Sequence, residues 1–396
     1  MRTREIAPNI HWTGVYTTEK FLFENLWEIV HGVNMNSYLL CGEKTALIDV
    51  CPEALLDDLL GRVSSITDPS KISYLIFNHL EPDHTGAVRA IREKIPGLEV
   101  IASKKGVEML RSLFGITDKV REAKEGDTLD LGGLKLRFMM TPMLHWPETM
   151  MTFEETTKTL FSSDSFGAFG ATESSIFDDE AKEGYFESER FRYFVNILGS
   201  HWRHIEKMLP KVTTLSPAVI APSHGTVFRD TAKILDEYAG WQGYGAGRCE
   251  NYVPIIASTM YGRTLDSVKH ARKGFEEAGV RTEVFDAVML PPAFVLPEIY
   301  RAKGLLVAAP TYEGGLFPKI GDILLRAKAK NISGKKAIFC GSSTWAPGAK
   351  REFADWCAKL SWELVDSVEF MGMADAEAEK KIHEMGKKFG EMMLGG

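Results

Sequence analysis

The sequence predicts an α/β chain in two parts: a layered α/β domain over residues 1–250, then a doubly wound parallel sheet over residues 251–396. Three observations carry that expectation. The chain has 396 residues, too many for one ordinary hydrophobic core. Its first part alternates short apolar β runs with helical patterns, and its last part repeats strand and helix in a regular rhythm. Between the two, Gly240, Gly243, Gly245 and Gly247 cluster, which reads as a hinge or linker and puts the boundary near Asn251.

In the first domain the β runs fall at residues 10–16, 37–41, 45–50, 73–77, 98–102, 134–139 and 159–162, and helical patterns cover 53–66 and 86–94. Residues 218–221 form a further strand that runs through Pro222 into Ser223-His224-Gly225. An amphipathic pattern over 231–241 closes the domain. In the second domain strands are expected at 253–258, 282–285, 304–309, 336–340 and 364–370, with intervening helices long enough to be crossovers of a parallel sheet. Five such strands place a ligand at their carboxyl ends, where the strand order reverses.

Hydrophobic residues make up 44% and charged residues 26% of the chain, as in a soluble globular protein. No apolar run reaches the roughly 18 residues of a membrane helix, and the first residues lack the apolar core of a signal peptide. A cytoplasmic protein with no membrane partner is therefore expected. The net charge is −7, with the acidic excess in the first domain. Neither domain shows the basic stripe with interleaved aromatics that nucleic-acid binding requires. The five cysteines include no C-x-x-C pair, which argues against a disulfide framework and against a built-in rubredoxin-like iron site. An electron carrier of that kind would be a separate protein.

The chemistry is densest at His79-Leu80-Glu81-Pro82-Asp83-His84, directly after an apolar strand. Any one of these polar residues alone reads as part of a solvated turn, but four metal-capable side chains in six positions read as a metal site. The carboxylate of Glu81 favours a harder, redox-active ion such as iron over zinc. Three more candidates follow strands: His145, Asp164 and His224. The set supplies enough imidazoles and carboxylates for two ions that share a carboxylate bridge about 3.5–4 Å apart. Two irons can deliver two electrons at once, which suits reduction of a small diatomic molecule. By contrast, His201, His204, His270 and His383 lie on Trp-rich or charged helical segments and read as ordinary surface or packing residues.

In the second domain Ser258, Thr259, Met260, Tyr261, Gly262, Arg263 and Thr264 join the first strand to a helix. They offer hydroxyls, backbone amides and the positive end of a helix dipole to a phosphate. No Walker lysine follows, which argues against a nucleoside triphosphate. Two further loops fall at strand ends, Pro310-Thr311-Tyr312-Glu313-Gly314 and Gly341-Ser342-Ser343-Thr344-Trp345. Their glycines let backbone approach a flat ring, on which Tyr312 or Trp345 could stack.

Together these residues resemble the flavodiiron proteins over essentially the whole chain. That resemblance implies a metallo-β-lactamase-like αββα sandwich followed by a flavodoxin-like domain. The H-x-E-x-D-H pattern of residues 79–84 is specific to that group, since the zinc hydrolases of the same fold carry His where this chain has Glu81. Position by position, the resemblance implies that His79, Glu81, His145 and Asp164 hold one iron, that Asp83, His84, Asp164 and His224 hold the other, and that the second domain binds FMN. It further implies reduction of O2 to water, of NO to N2O, or both, with electrons from rubredoxin or a flavin or deazaflavin reductant. A head-to-tail homodimer, or a dimer of dimers, is also implied, because in this family the flavin of one subunit faces the irons of the other.

Two departures stand out. Many relatives have Phe-His-Gly where this chain reads Phe23-Glu24-Asn25, so a role beside the irons passes to Glu24 or is lost. Where relatives often have glycines after the third-loop Trp, this chain has Ala346-Pro347. Tyr193 lies in a segment that in the family often places tyrosines near the metal. Two rival readings stand beside this one. The first is a dizinc hydrolase with a flavodoxin domain appended; the second is an electron-transfer flavoprotein whose first domain holds only a structural metal.

Overall fold

The computed structural model describes residues 3–18, 22–172, 175–181 and 185–395, and the chain divides into two compact units, Met1–Gly240 and Trp241–Gly396. The glycine cluster is not an open hinge. Gly240, Gly243 and Gly245 lie in the helix Thr231–Gly245. Each glycine costs a helix about 1 kcal/mol relative to alanine, and burial of Ile234, Tyr238 and Gln242 on the same helix offsets that cost.

Two sheets build the first unit. One runs in the order Arg4–Ala7, Ile10–Trp12, Tyr38–Cys41, Thr45–Ile48, Ile72–Ile76, Glu99–Ser103 and Val120–Ala123, with its last four strands parallel. The other runs in the order Thr128–Asp130, Lys135–Met140, Met150–Glu154, Thr159–Phe161 and Val219–Ala221. Alternate residues of the first sheet (Tyr38, Leu40, Ala46, Ile48, Ile76) meet Leu136, Phe138, Phe161 and Ala221 of the second in one buried cluster. The intervening Leu39, Leu47 and Leu75 are buried as well. Strands covered on both faces read as continuous apolar runs rather than alternations, which is why these were legible. Met150–Glu154 is wholly buried too, but Met, Thr and Glu dilute its β signal, and the sequence reading did not anticipate it.

The expected strand at 10–16 is split into Ile10–Trp12 and Val15–Thr17, and the latter pairs with Val33–Met35 as a separate ribbon. Gly14 makes the bend: a Cβ there would lie 2.6 Å from Asn36 Cα.

In the second unit five parallel strands run in the order Arg281–Asp286, Tyr252–Ala257, Gly304–Tyr312, Lys336–Ser343 and Glu363–Met371. This is the flavodoxin-like 2-1-3-4-5 order, whose switch point lies beside the first strand. A short strand, Gly315–Leu316, adds antiparallel to the third. The helices Arg263–Ala278 and Ala376–Leu394 pack together, and a Cβ on Gly274 would stand 2.2 Å from His383 O. Among the described residues no helix is long and apolar enough to cross a membrane.

Candidate metal centre and cofactor cleft

The strand Ile72–Ile76 delivers the chain to residues 79–84, where Glu81, still extended at φ −64° and ψ 144°, precedes the single turn Pro82–Thr85. Proline suits the start of that turn, having no N–H to lose there. His145 comes from the loop after Lys135–Met140, Asp164 from the loop after Thr159–Phe161, and His224 from the turn after Val219–Ala221. That last turn needs glycine at 225: its φ is 75°, and a Cβ would lie 2.7 Å from Ala168 Cβ.

The seven predicted residues come together as two groups. His79 Nε2 lies 3.2 Å from Glu81 Oε2 and 3.4 Å from Asp164 Oδ2, and His145 Nε2 lies 3.3 and 3.4 Å from the same two oxygens. In the other group, His84 Nε2 is 3.2 Å from Asp164 Oδ1 and 3.4 Å from Asp83 Oδ1. His224 Nε2 is 3.3 Å from Asp164 Oδ1 and 3.3 Å from Asp83 Oδ2. Asp164 thus turns one oxygen to each group. Ligand atoms held about 2.0–2.2 Å from one ion stand roughly 3.0–3.5 Å apart at octahedral to tetrahedral angles, and the observed separations fit that sphere. Both oxygens of Asp83, both of Asp164, and Nε2 of His84 and His224 are buried without a hydrogen-bond partner. Such atoms are costly unless a cation compensates them, so the donor set fits a pair of metal ions.

Outside the ligands, Glu148 Oε1 accepts from His79 Nδ1 at 2.7 Å and from Leu80 N at 3.0 Å, and Asn34 O accepts from His224 Nδ1 at 2.7 Å. Each contact fixes the tautomer that leaves Nε2 free for a metal. Sequence reasoning missed both. A backbone carbonyl has no sequence signature, and Glu148 offered only the faint signal of a lone carboxylate three positions after His145. Glu148→Gln is expected to weaken metal binding by about 10- to 100-fold, measured by chelator competition; unchanged affinity would remove Glu148 from the site.

Burial disfavours charge on the four imidazoles, yet the carboxylates around them outweigh it. His79 and His224 are pushed up to about 10, and His84 and His145 to about 9. Burial likewise opposes charge on Asp83 and Asp164, but the facing histidines, His84 foremost, hold both below the usual carboxylate range. Raised histidine pKa values stabilise the metal-free fold fully below the ordinary value of about 6.5, and that contribution is lost as pH rises through 9 to 10. A metal needs the neutral ring, so loading expels protons. Anaerobic addition of Fe(II) to metal-free protein near neutral pH is therefore expected to acidify a weakly buffered solution, with affinity climbing as pH rises toward about 9. A pH-independent affinity over that range would contradict this.

In the second unit, the three predicted loops meet at the carboxyl ends of the strands. A cleft of about 100 Å³ is lined by Thr259, Met260, Tyr261, Arg263 and Thr264 from the first, Pro310 and Thr311 from the second, and Ser342, Ser343 and Thr344 from the third. Gly372 also lines it, which the sequence reading did not foresee. Gly262, at φ 93°, caps the helix Arg263–Ala278 and donates its N–H to Thr259 Oγ1 at 2.9 Å. Thr264 Oγ1 and Ser342 Oγ are 2.7 Å apart. Its hydroxyl-rich lining suits a phosphate. Beside the first and third loops, Tyr261 is 92% and Trp345 is 85% exposed, large aromatic faces free to cover a flat ring. Ser258, Gly262, Tyr312, Glu313, Gly314, Gly341 and Trp345 do not line the cleft. Ser258 is buried with its N–H donated to Ala308 O, and Gly314 makes the second loop's turn at φ 74°.

Residues 33–225 match the family model described as ODP family beta lactamase, and residues 255–386 match flavodoxin. An uncharacterised protein of Methanocaldococcus jannaschii is 31% identical, with 98% of each chain covered. The anaerobic nitric oxide reductase flavorubredoxin of Pectobacterium carotovorum is 30% identical over 97% of this chain and 77% of that longer protein. Among solved structures, the rubredoxin:oxygen oxidoreductase of Desulfovibrio gigas superposes with a TM-score of 0.94 at 25% identity, covering 100% of this chain and 99% of that one. A flavodiiron protein of Thermotoga maritima, as its H90A mutant, gives 0.88 at 28% identity over 99% and 98%. The chain belongs to the flavodiiron protein family.

Membership makes it an oxidoreductase with a metallo-β-lactamase-like domain before a flavodoxin domain. Against the family pattern, the Phe23-Glu24-Asn25 loop presents Phe23 to the ligands, its ring edge-on to His224 with centroids 5.1 Å apart. Glu24 is exposed and accepts from the Trp27 indole at 3.0 Å. Tyr193 is fully buried against Phe23, Phe169 and His224, and burial followed by the charge of Asp164 raises its pKa well above the usual value. His270 of the helix Arg263–Ala278 pairs with Glu379 of the helix Ala376–Leu394, and His383 of the latter pairs with Glu277 of the former, as expected of packing residues.

Proposed function

We propose that this flavodiiron protein reduces O2 to water, NO to N2O, or both at a two-iron centre, with electrons entering through FMN from a separate small redox carrier. The observation that carries the reading is Asp164, which directs Oδ2 at the group containing His79, Glu81 and His145 and Oδ1 at the group containing Asp83, His84 and His224. In this reading the first three would hold one iron, the other three would hold its neighbour, and Asp164 would contribute one oxygen to each. Bound there, the metals would supply Lewis acidity and electrons for reduction of a diatomic molecule. The chain's own part is to hold and insulate. Glu148 and Asn34 O fix imidazole orientation, while Phe23 and Trp146, the latter edge-on to His79 at 5.0 Å, present apolar walls beside the ligands.

At the other site, Thr259, Thr264 and the amino end of the helix Arg263–Ala278 hold the FMN phosphate, and the exposed aromatics flank the ring. A head-to-tail homodimer, with the functional division of the chain near Asn251, completes the proposal. The D. gigas structure is named for oxygen reduction and the Pectobacterium relative for nitric oxide reduction, so both substrates belong in the test. Protein with bound FMN reduced anaerobically is to be mixed separately with O2 and with NO while flavin reoxidation is followed and metals are counted. Rapid reoxidation by at least one gas, with iron present, is expected. Two zincs, ester hydrolysis and a flavin inert to both gases would replace the proposal with the hydrolase reading, which Glu81 already disfavours.

A further inference from the structure

Lys335 is a buried cation without a carboxylate. It immediately precedes the strand Lys336–Ser343 and is only 5% exposed. Its Nζ donates to Tyr300 O at 2.8 Å and lies 3.2 Å from Cys249 Sγ; among the described residues no acidic side chain pairs with it. A lysine this deep ordinarily finds an acid. Here its ionisable partner is a thiol. Burial lowers the lysine pKa, with the charge of Cys249 pulling the other way, so the neutral, nucleophilic amine is more accessible than on a surface lysine.

Cys249 is matched to this neighbour. It is partly exposed, and its Sγ also donates to the carbonyl oxygens of Tyr244 at 3.4 Å and Tyr300 at 3.9 Å. The other cysteines lack this combination. Cys51, Cys340 and Cys357 are buried, with thiols pushed up by burial to about 12, 11 and 12. Cys41 is partly exposed, but its thiol is also raised by burial.

We propose that Cys249 and Lys335 form a peroxide-driven modification site that closes to a reversible covalent sulfur–oxygen–nitrogen bridge. Hydrogen peroxide is the oxidant. The Cys249 sulfur attacks one peroxide oxygen and breaks the O–O bond; sulfur loses two electrons, and the departing hydroxide takes the thiol proton to leave as water, giving a sulfenic acid. A second peroxide is attacked by the neutral Lys335 nitrogen, which likewise loses two electrons and becomes a hydroxylamine, releasing another water. The hydroxylamine oxygen then displaces water from the sulfenic sulfur. The balance is one thiol, one amine and two peroxides giving one S–O–N bridge and three waters. The 3.2 Å separation places sulfur and nitrogen for a single inserted oxygen, and the flexible lysine chain accommodates the adjustment.

This site is independent of the proposed O2 and NO chemistry. Cys249 and Lys335 precede the amino ends of the strands Tyr252–Ala257 and Lys336–Ser343, whereas the phosphate cleft lies at the carboxyl ends. The bridge would tie the segment entering the sheet to its fourth strand in chain order.

The test uses the full-length protein with its cofactors, first reduced by a thiol under anaerobic conditions, then exposed to hydrogen peroxide, alkylated, digested with trypsin and read by mass spectrometry. The expected product joins the peptide of Cys249 to that of Lys335, heavier than their sum by one oxygen and lighter by two hydrogens, uncut after Lys335, and lost on treatment with dithiothreitol. Cys249→Ser and Lys335→Arg serve as controls that lack it; the wild-type result alone decides, whatever their stability. Cys249 that alkylates after peroxide as fully as before would overturn the proposal. So would Cys249 oxidised to sulfinate while trypsin still cuts after Lys335.

Discussion

Asp164→Ala is expected to lower the turnover of whichever of O2 and NO the protein reduces by more than about 100-fold, given that loss of even an outer contact to a ligand costs 10- to 100-fold. The substitution removes an oxygen from each metal group at once, and with it the charge that faces His79, His145, His84 and His224. Iron content should fall with activity while FMN stays bound, because every group lining the phosphate cleft belongs to the other unit. Gas consumption, iron analysis and flavin fluorescence read the three quantities separately. Full activity in the variant would remove the bridge from the site. Loss of FMN in parallel with iron would instead indicate general unfolding.

A second large effect is expected from mixed dimers. Asp164→Ala disables the metal centre, and Thr259→Glu places a carboxylate in the phosphate loop, where it repels the anion. Each variant alone should be inactive. If the flavin of one subunit serves the irons of the other, a dimer of one Asp164→Ala and one Thr259→Glu subunit contains one intact pair and recovers roughly half of wild-type turnover per dimer, a restoration of at least about 50-fold over either parent on the scale expected for a lost ligand. Co-expression with two affinity tags isolates that dimer. No recovery, with each subunit retaining its remaining cofactor, would mean that electrons pass within one subunit or that the dimer has another arrangement.

The residues of the two metal-capable groups were legible because the sequence places them under tight local rules. His79, Glu81, Asp83 and His84 share six positions, and Asp164 and His224 each follow an apolar strand that ends abruptly. The strand order of the second unit was legible in kind, from its regular rhythm, although the sequence could not give the neighbours of each strand. What stayed hidden depends on tertiary approach. Glu148 matters because a loop folds its carboxylate under His79, and Asn34 because its carbonyl meets His224. Gly14 breaks an apparently continuous strand because Asn36 passes too close for a side chain. The glycines at 240, 243 and 245 read as a hinge by composition, but Ile234 and Tyr238 of the same helix are buried in the packed interior, and that outweighs propensity. Among the flavin-loop residues, position along the chain identified the loops but not which side chains line the cleft.

The ligands of the metal groups come from both layers of the sandwich: residues 79–84 follow a strand of the first sheet, while His145, Asp164 and His224 follow strands of the second. An ion pair held there acts as a clasp between the layers. Loading it changes the mechanics of the fold as well as its chemistry, since the two sheets can then part at that end only by breaking coordination bonds. Amide hydrogens in Ile72–Ile76 and Thr159–Phe161 should therefore slow their exchange together when iron binds, and quicken together when a chelator removes it.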